Sequence, residues 1–188
     1  MKRHQLIEQL IVDTQVVKEA VATFAALPID LLSMQPAVDH WSVLQCIEHL
    51  NIADEHYLHQ FDLKLNKAEH STIETFKPGF LGKKLTTMMK PTDEGKIPSP
   101  MKTIAKFRPD IDVKYDTIDK FLTDQDKIVE YLLKAKTLDL NKNKIPSALG
   151  SFITFKLGDA FRFLIAHNQR HVQQMRNILT QISTLKTA

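Results

Sequence analysis

Apolar residues recur every three or four positions in four long segments of the chain, which is the spacing of one helix face. The predicted helices span about residues 2–26, 41–66, 114–136 and 154–184. Ser42 and Gln45 have the spacing of a capping box at the start of the second helix, and Thr154 is the N-cap candidate of the fourth. Gly158 lowers helix propensity by about 1 kcal/mol relative to alanine, so a later start is the alternative. The pattern predicts an all-α four-helix bundle.

A long connection, residues 67–113, separates the second and third predicted helices. It contains five prolines, namely Pro78, Pro91, Pro98, Pro100 and Pro109, and a short helix is predicted from Phe80 to Met89. From Lys77 to Arg108 it carries eight Lys/Arg residues and two acids. A connection this long is often functional in a compact domain. We interpret its basic run, within residues 77–108, either as a solvated loop or as a rim that attracts an anionic substrate.

The fourth predicted helix contains two histidines, His167 and His171, four residues apart. Helical geometry stacks them on one face, with His171 inside the apolar stripe centred on Leu164 and His167 at its edge. A polar ring aimed at a core needs a partner, and such a pair can hold a metal ion. Because the chain has eight histidines, the spacing alone is a weak motif. Two hydrogen-bonded core histidines are the alternative.

The second predicted helix offers a third ligand for the same ion. His49 lies on the flank of its apolar stripe, and His56, seven residues later, shares that face and is the rival ligand. Three neutral imidazoles would leave a fourth position open for water or substrate, which is the arrangement of catalytic zinc sites. We expect the remaining histidines outside this set to lie at the surface: His4, His40, His59 and His70.

Asp54 falls in the middle of the apolar stripe of the second helix. A carboxylate there must be paired, hydrogen-bonded or in contact with a wet cavity. It is the nearest catalytic candidate, and the alternative is that it orients a metal ligand. Asn168 stands where a His-Glu-x-x-His peptidase would have its general base, so the zinc-peptidase class is excluded. No paired Glu-x-x-His segments are present, which excludes a di-iron carboxylate bundle.

Two further side chains in the predicted helices have structural interpretations. Cys46 is expected to be a small buried hydrophobe. Thr14, inside the apolar stripe of the first helix, is expected to bond back to a carbonyl one turn earlier.

Composition adds exclusions to this picture. The chain has 188 residues, 43% hydrophobic and 25% charged, and we expect residues 1–188 to form one globular domain. A net charge of +3 is too mild to indicate a nucleic-acid partner. No apolar run approaches ~20 residues, so no membrane span is expected. A single cysteine and an amphipathic start without a secretion signal predict a reducing, cytoplasmic compartment.

Three features, taken in order along the chain, carry a family resemblance. They are Trp41-Ser42, then six intervening residues, then His49-Leu50 with Asp54 following, the crossover pairs Ser99-Pro100 and Arg108-Pro109, and the closing His167-x-x-x-His171. Together they resemble the DinB/YfiT-like superfamily of metalloenzymes, and its DinB_2 branch in particular. The similarity spans about residues 5–183.

The resemblance implies that His49, His167 and His171 bind a divalent metal ion, Zn or Ni first among the ions that imidazole suits. It implies an up-down-down-up bundle whose long crossover makes the second and third long helices parallel, and a homodimer. Some members resemble transferases or isomerases in which the metal activates a low-molecular-weight thiol.

We therefore expect a metal-dependent enzyme acting on a small molecule, either a thiol-dependent S-transferase or isomerase or a hydrolase. A non-catalytic, stress-related bundle that binds a metal or another ligand is the alternative. Neither a nucleic acid nor a membrane is expected as a partner.

Overall fold

The computed structural model describes residues 1–68, 70–98 and 101–187, with the backbone alone for residues 151, 186 and 187. Within these ranges the helices are α1 Arg3–Ala25, α2 Ile29–Ser33, α3 Val43–Leu65, α4 Phe80–Met89, α5 Thr117–Ala135 and α6 Leu157–Thr187. A 3₁₀ helix spans Ala105–Phe107, and two short strands are β1 Ile145–Ser147 and β2 Gly150–Phe155. The crossover pair Ser99-Pro100 lies outside the described ranges.

The four long helices and the short crossover helix confirm the helical predictions. The capping box is present: the Ser42 hydroxyl accepts from the Gln45 backbone N–H at 3.2 Å, and the Gln45 side chain accepts from the Ser42 N–H at 2.9 Å. Because this box fixes the first turn of α3, it also fixes where the helix presents its later side chains. The Thr14 hydroxyl donates to the Leu10 carbonyl at 2.8 Å, as expected.

The pattern predicts only a connection for residues 137–153, between the third and fourth predicted helices, and this prediction is wrong. β1 and β2 form an antiparallel hairpin in which Ile145 pairs with Phe155 and Pro146 with Thr154. Thr154 is therefore a strand residue and not the N-cap of the last helix, which begins at Leu157. The last helix therefore starts later than Thr154, which is the alternative that Gly158 suggested.

Of the four long helices, α1 and α3 each pack against both α5 and α6. The short helix α4 packs against α6 from outside this set. None of the helices within the described ranges has the length and apolar character that crossing a membrane requires.

Buried apolar side chains form two clusters along the helices. One contains Leu10, Phe61, Ile128 and Leu164, and the other contains Val17, Ile47, Phe121 and Met175. Near the level where each long helix passes from one cluster to the other, it carries buried polar residues, and these include the set Thr14, Asp54, Gln125 and Asn168. We call this set the polar layer. It lies at the level of the candidate site.

Candidate metal centre

The structure brings together the three histidines that the sequence singled out. His49 comes from α3, and His167 and His171 come from one turn of α6. Nε2 of His167 lies 3.3 Å from Nε2 of His49 and 3.2 Å from Nε2 of His171. All three ligand atoms lie within 4.8 Å of one another. Two nitrogens bound to a tetrahedral zinc ion would be separated by roughly 3.3 Å, so these spacings fit a shared ion.

A backbone carbonyl from the crossover fixes the orientation of His49. Nδ1 of His49 lies 2.7 Å from the carbonyl oxygen of Phe107, in the 3₁₀ helix. Because a carbonyl can only accept, the neutral ring carries its proton on Nδ1 and keeps the lone pair of Nε2 for the cluster. Metal-binding histidines are commonly oriented in this way through their second nitrogen.

Hydrogen bonds among the three rings cannot satisfy all three Nε2 atoms. With Nε2 of His49 unprotonated, a single Nε2 proton on His167 cannot point at both of its neighbours. Nδ1 of His171 has no hydrogen-bond partner of good geometry among the described residues, although the Gln174 side chain lies near enough to favour the charged ring. A cation between the three Nε2 atoms would use every lone pair, so the residues present fit a divalent ion.

All three imidazoles are held in the neutral form. Burial lowers the pKa of His167 to about 3, and repulsion from the Arg170 guanidinium and from the His49 ring, were it protonated, acts in the same direction. Burial likewise sets the pKa of His171 well below its ordinary value. The pKa of His49 is lowered by burial against the opposing effect of the Phe107 hydrogen bond. A neutral imidazole is the form that binds metal ions.

A cavity of about 680 Å³ adjoins the three histidines, a volume in the range of small-molecule sites. Its walls are largely aromatic and aliphatic, and include Trp41, Tyr57, Met89, Phe107 and Phe163. The ring centroid of Trp41 lies 5.0 Å from that of His49. Lys102 and Arg170 contribute positive charge. Since Lys102 is exposed, the cavity opens to solvent at the crossover.

The rival third ligand, His56, lies apart from the cluster. Its Nε2 lies 3.0 Å from the carbonyl oxygen of Pro146, in strand β1, to which it donates when protonated. The histidines expected at the surface, namely His4, His40, His59 and His70, are exposed. Cys46 is completely buried, and burial raises the pKa of its thiol, which agrees with the predicted role of a small hydrophobe.

Asp54 lies in the polar layer, completely buried. Its Oδ2 accepts from the side-chain amides of Gln125 at 3.1 Å and Asn168 at 2.9 Å. Burial raises the pKa of Asp54 to about 7, although both hydrogen bonds act in the opposite direction. It is not among the described residues that line the cavity. Through Asn168, Asp54 contacts the residue that follows His167 in α6.

The sequence pattern does not identify three residues of the site, which are Arg170, Trp41 and Phe107. Arg170 could have been found, because it follows His167 by three positions and so shares its helix face. Trp41 is part of the Trp41-Ser42 pair in the family motif, but that motif does not place its ring at the site. Phe107 acts through a backbone carbonyl, which residue type does not reveal. Eight basic residues lie from Lys77 to Arg108, all within the described ranges. Of these, Lys102 lines the cavity, and the others are exposed elsewhere.

Fold and site together define a helical protein with a buried cluster of three histidines that could hold a metal ion. A family model described as DinB superfamily, DinB_2, matches residues 14–175, which is most of the chain. The chain belongs to the DinB superfamily, as the order of its motifs indicated. No curated protein and no solved structure matches it significantly.

Proposed function

We propose that the protein is a metal-dependent enzyme that acts on a small molecule in this cavity. His49, His167 and His171 would hold one divalent ion, Zn or Ni. The observation that carries the proposal is the convergence of three Nε2 atoms at the wall of a cavity open to solvent. When bound, the ion would lower the pKa of a coordinated thiol or water and so supply a nucleophile at neutral pH.

The chain's own residues would bind and orient the substrate. The aromatic and aliphatic walls exclude water and hold the apolar part of the molecule. Burial raises the pKa of Tyr57 to about 12, so its hydroxyl stays protonated at neutral pH. That hydroxyl accepts from the Ala148 N–H at 3.3 Å and also interacts with the Ser147 side chain. Because Tyr57 lines the cavity, we propose that its hydroxyl contacts a bound molecule there. The reaction class we favour is a thiol-dependent S-transfer or isomerisation, and the second is hydrolysis.

We propose that Asp54 is a positioning residue and touches no substrate. Its two hydrogen bonds join α3 to α5 and α6 at the level of the histidines. The Asn168 amide that it accepts from is next to His167 in the chain. The carboxyl therefore helps to set the distance between the helices that carry the ligands.

The cavity also weighs against a protein in which the ion only stabilises the fold. Such a structural site is closed by its own ligands and needs no space beside the ion. Here the three imidazoles share a wall with about 680 Å³ of accessible volume.

We further propose the up-down-down-up order of the long helices. In support, contacts between α3 and α5 keep the same order along both helices, and contacts between α3 and α6 run in reverse. The first set pairs Asn51 with Thr117 and Asp62 with Tyr131; the second pairs His49 with His167 and Phe61 with Phe161. By family resemblance we also propose that the protein is cytoplasmic and forms a homodimer. Sedimentation of the purified chain would test the dimer.

A screen for turnover tests the proposed function. Metal-loaded protein is incubated with low-molecular-weight thiols and electrophilic acceptors, and with esters in a separate arm, and products are identified by mass spectrometry. We expect product formation that depends on the metal and is lost when His49 and His171 are both replaced by alanine. The matched control is His56→Ala, which should retain turnover because His56 lies outside the cluster. Turnover that survives loss of the metal would contradict the proposal.

A further inference from the structure

One buried cation, Arg170, stands at the wall of the cavity beside the histidines. It lies on α6 between His167 and His171, and its side chain is 6% exposed. Its Nη1 donates to the Met88 carbonyl at the end of α4, at 3.5 Å. Its charge is close enough to lower the pKa of both His167 and His171. Because an arginine stays charged in a folded protein, Arg170 places a positive charge in the cavity lining.

The cavity as a whole has a positive balance. Among the described residues that line it, Lys102 and Arg170 are cations and Asp39 is the acid, and the last is exposed at the mouth. The three histidines are neutral, and a bound divalent ion would add further positive charge. An anion that enters such an apolar, positively charged cavity is attracted more strongly than it would be in water.

We propose that the cavity recognises a small molecule with a carboxylate group, and that Arg170 is the residue that binds this carboxylate. The placement of the reacting end of this small molecule at the metal ion rests on the proposed function. A planar guanidinium matches a carboxylate with two parallel hydrogen bonds. A phosphate has more acceptor oxygens and a larger charge than one buried arginine suits. The aliphatic and aromatic walls accommodate an apolar segment between the two ends.

Two probes that differ in a single charge test this inference. They are 3-mercaptopropanoate, which is ionised at neutral pH, and its uncharged amide, 3-mercaptopropanamide. Binding to the full chain is followed by calorimetry and by the fluorescence of Trp41, the one tryptophan of the sequence, whose ring lies 5.0 Å from that of His49. We expect the carboxylate to bind roughly ten- to a hundredfold more tightly than the amide.

Variants assign this preference to Arg170. Arg170→Gln should abolish the difference between the probes, and Arg170→Lys should retain part of it, because it keeps the charge but loses the planar fork. Arg176→Gln is the matched control, since Arg176 lies on the same helix and is exposed. It should keep the full preference. Circular dichroism establishes that each variant is folded, and the comparison of the two probes in the unmodified protein needs no variant.

Equal affinities for the two probes, or no saturable binding of either, would overturn the proposal. So would a folded Arg170→Gln protein with an undiminished preference for the carboxylate. Metal content is measured on the same samples. A preference for the carboxylate in a protein that binds no metal would support the Arg170 site while contradicting the metal-dependent enzyme, so the two failures are distinguishable.

Discussion

At the scale of single residues, His49 illustrates which features of the site follow from sequence. Its position on the flank of an apolar stripe follows from the 3.6-residue period, as do the positions of His167 and His171. Its ring orientation is set by the Phe107 carbonyl, 58 residues away in the chain. Because every residue has a carbonyl, no local pattern could identify this one.

Asp54→Asn should remove a pH dependence of stability. Burial raises the pKa of Asp54 from 3.8 to about 7, against the hydrogen bonds of Asn168 and Gln125, with Asp124 raising it further and Lys120 lowering it. Between these values the folded protein holds a proton that the unfolded chain has lost. The Asp54 contribution to stability is therefore present at low pH and is lost as pH rises through about 7. Relative to the unmodified protein, the variant should gain stability from pH 4 to pH 7.

Urea denaturation at several pH values measures this difference in the free energy of unfolding. Asp93→Asn, an exposed residue of the crossover, is the control and should follow the unmodified protein at every pH. A free-energy difference between Asp54→Asn and the unmodified protein that stays constant with pH would contradict the account.

At the scale of elements, the long helices were predictable because each has one continuous apolar face. The hairpin was not predicted, because its strands of 3 and 6 residues are too short to show a clear period. The β-branched and aromatic run Ile153-Thr154-Phe155, bounded by Gly150, was the available signal. Thr154 was read as a helix cap because the same residue types serve both roles.

Ser42→Ala should destabilise the protein by about 1 kcal/mol, because it removes half of the capping box at the start of α3. The lost contact is the bond from the Gln45 N–H to the Ser42 hydroxyl. Thermal or urea unfolding measures the change, and Ser42→Thr, which keeps the hydroxyl, should recover most of it. A Ser42→Ala protein as stable as the unmodified one would show that this cap contributes nothing to α3.

Gly158→Ala should destabilise the protein although alanine is the better helix former. A Cβ at this position would lie 2.6 to 2.9 Å from ring atoms of Phe76, so the ring must shift. Overpacking of this kind costs about 1–3 kcal/mol, which exceeds the gain of roughly 1 kcal/mol in helix propensity. Unfolding in urea measures the net effect.

A double-mutant cycle with Phe76→Leu identifies the cause. The smaller side chain relieves the clash, so Gly158→Ala should cost less in that background than in the unmodified protein. Equal costs in both backgrounds would mean that Phe76 is not the reason for a glycine at this position.

At the scale of the whole molecule, the polar layer and the cavity depend on how distant segments assemble. The polar positions of Thr14 and Asp54 interrupt apolar stripes in the sequence, and the structure shows that Asp54 contacts buried polar residues of two other helices, Gln125 and Asn168. The cavity could not be predicted, because its walls come from α3, α6, the crossover and the hairpin. Its volume depends on packing between these segments, which no local pattern specifies.

The central claim is that the three histidines bind a metal ion, and metal content tests it most directly. Protein purified without an affinity tag is equilibrated with Zn²⁺ or Ni²⁺, freed of excess ion and analysed by mass spectrometry for metals. We expect about one tightly bound ion per chain, and a large loss in the His49→Ala, His171→Ala double variant, because one imidazole is then left. Equal and negligible metal in both proteins would contradict the account.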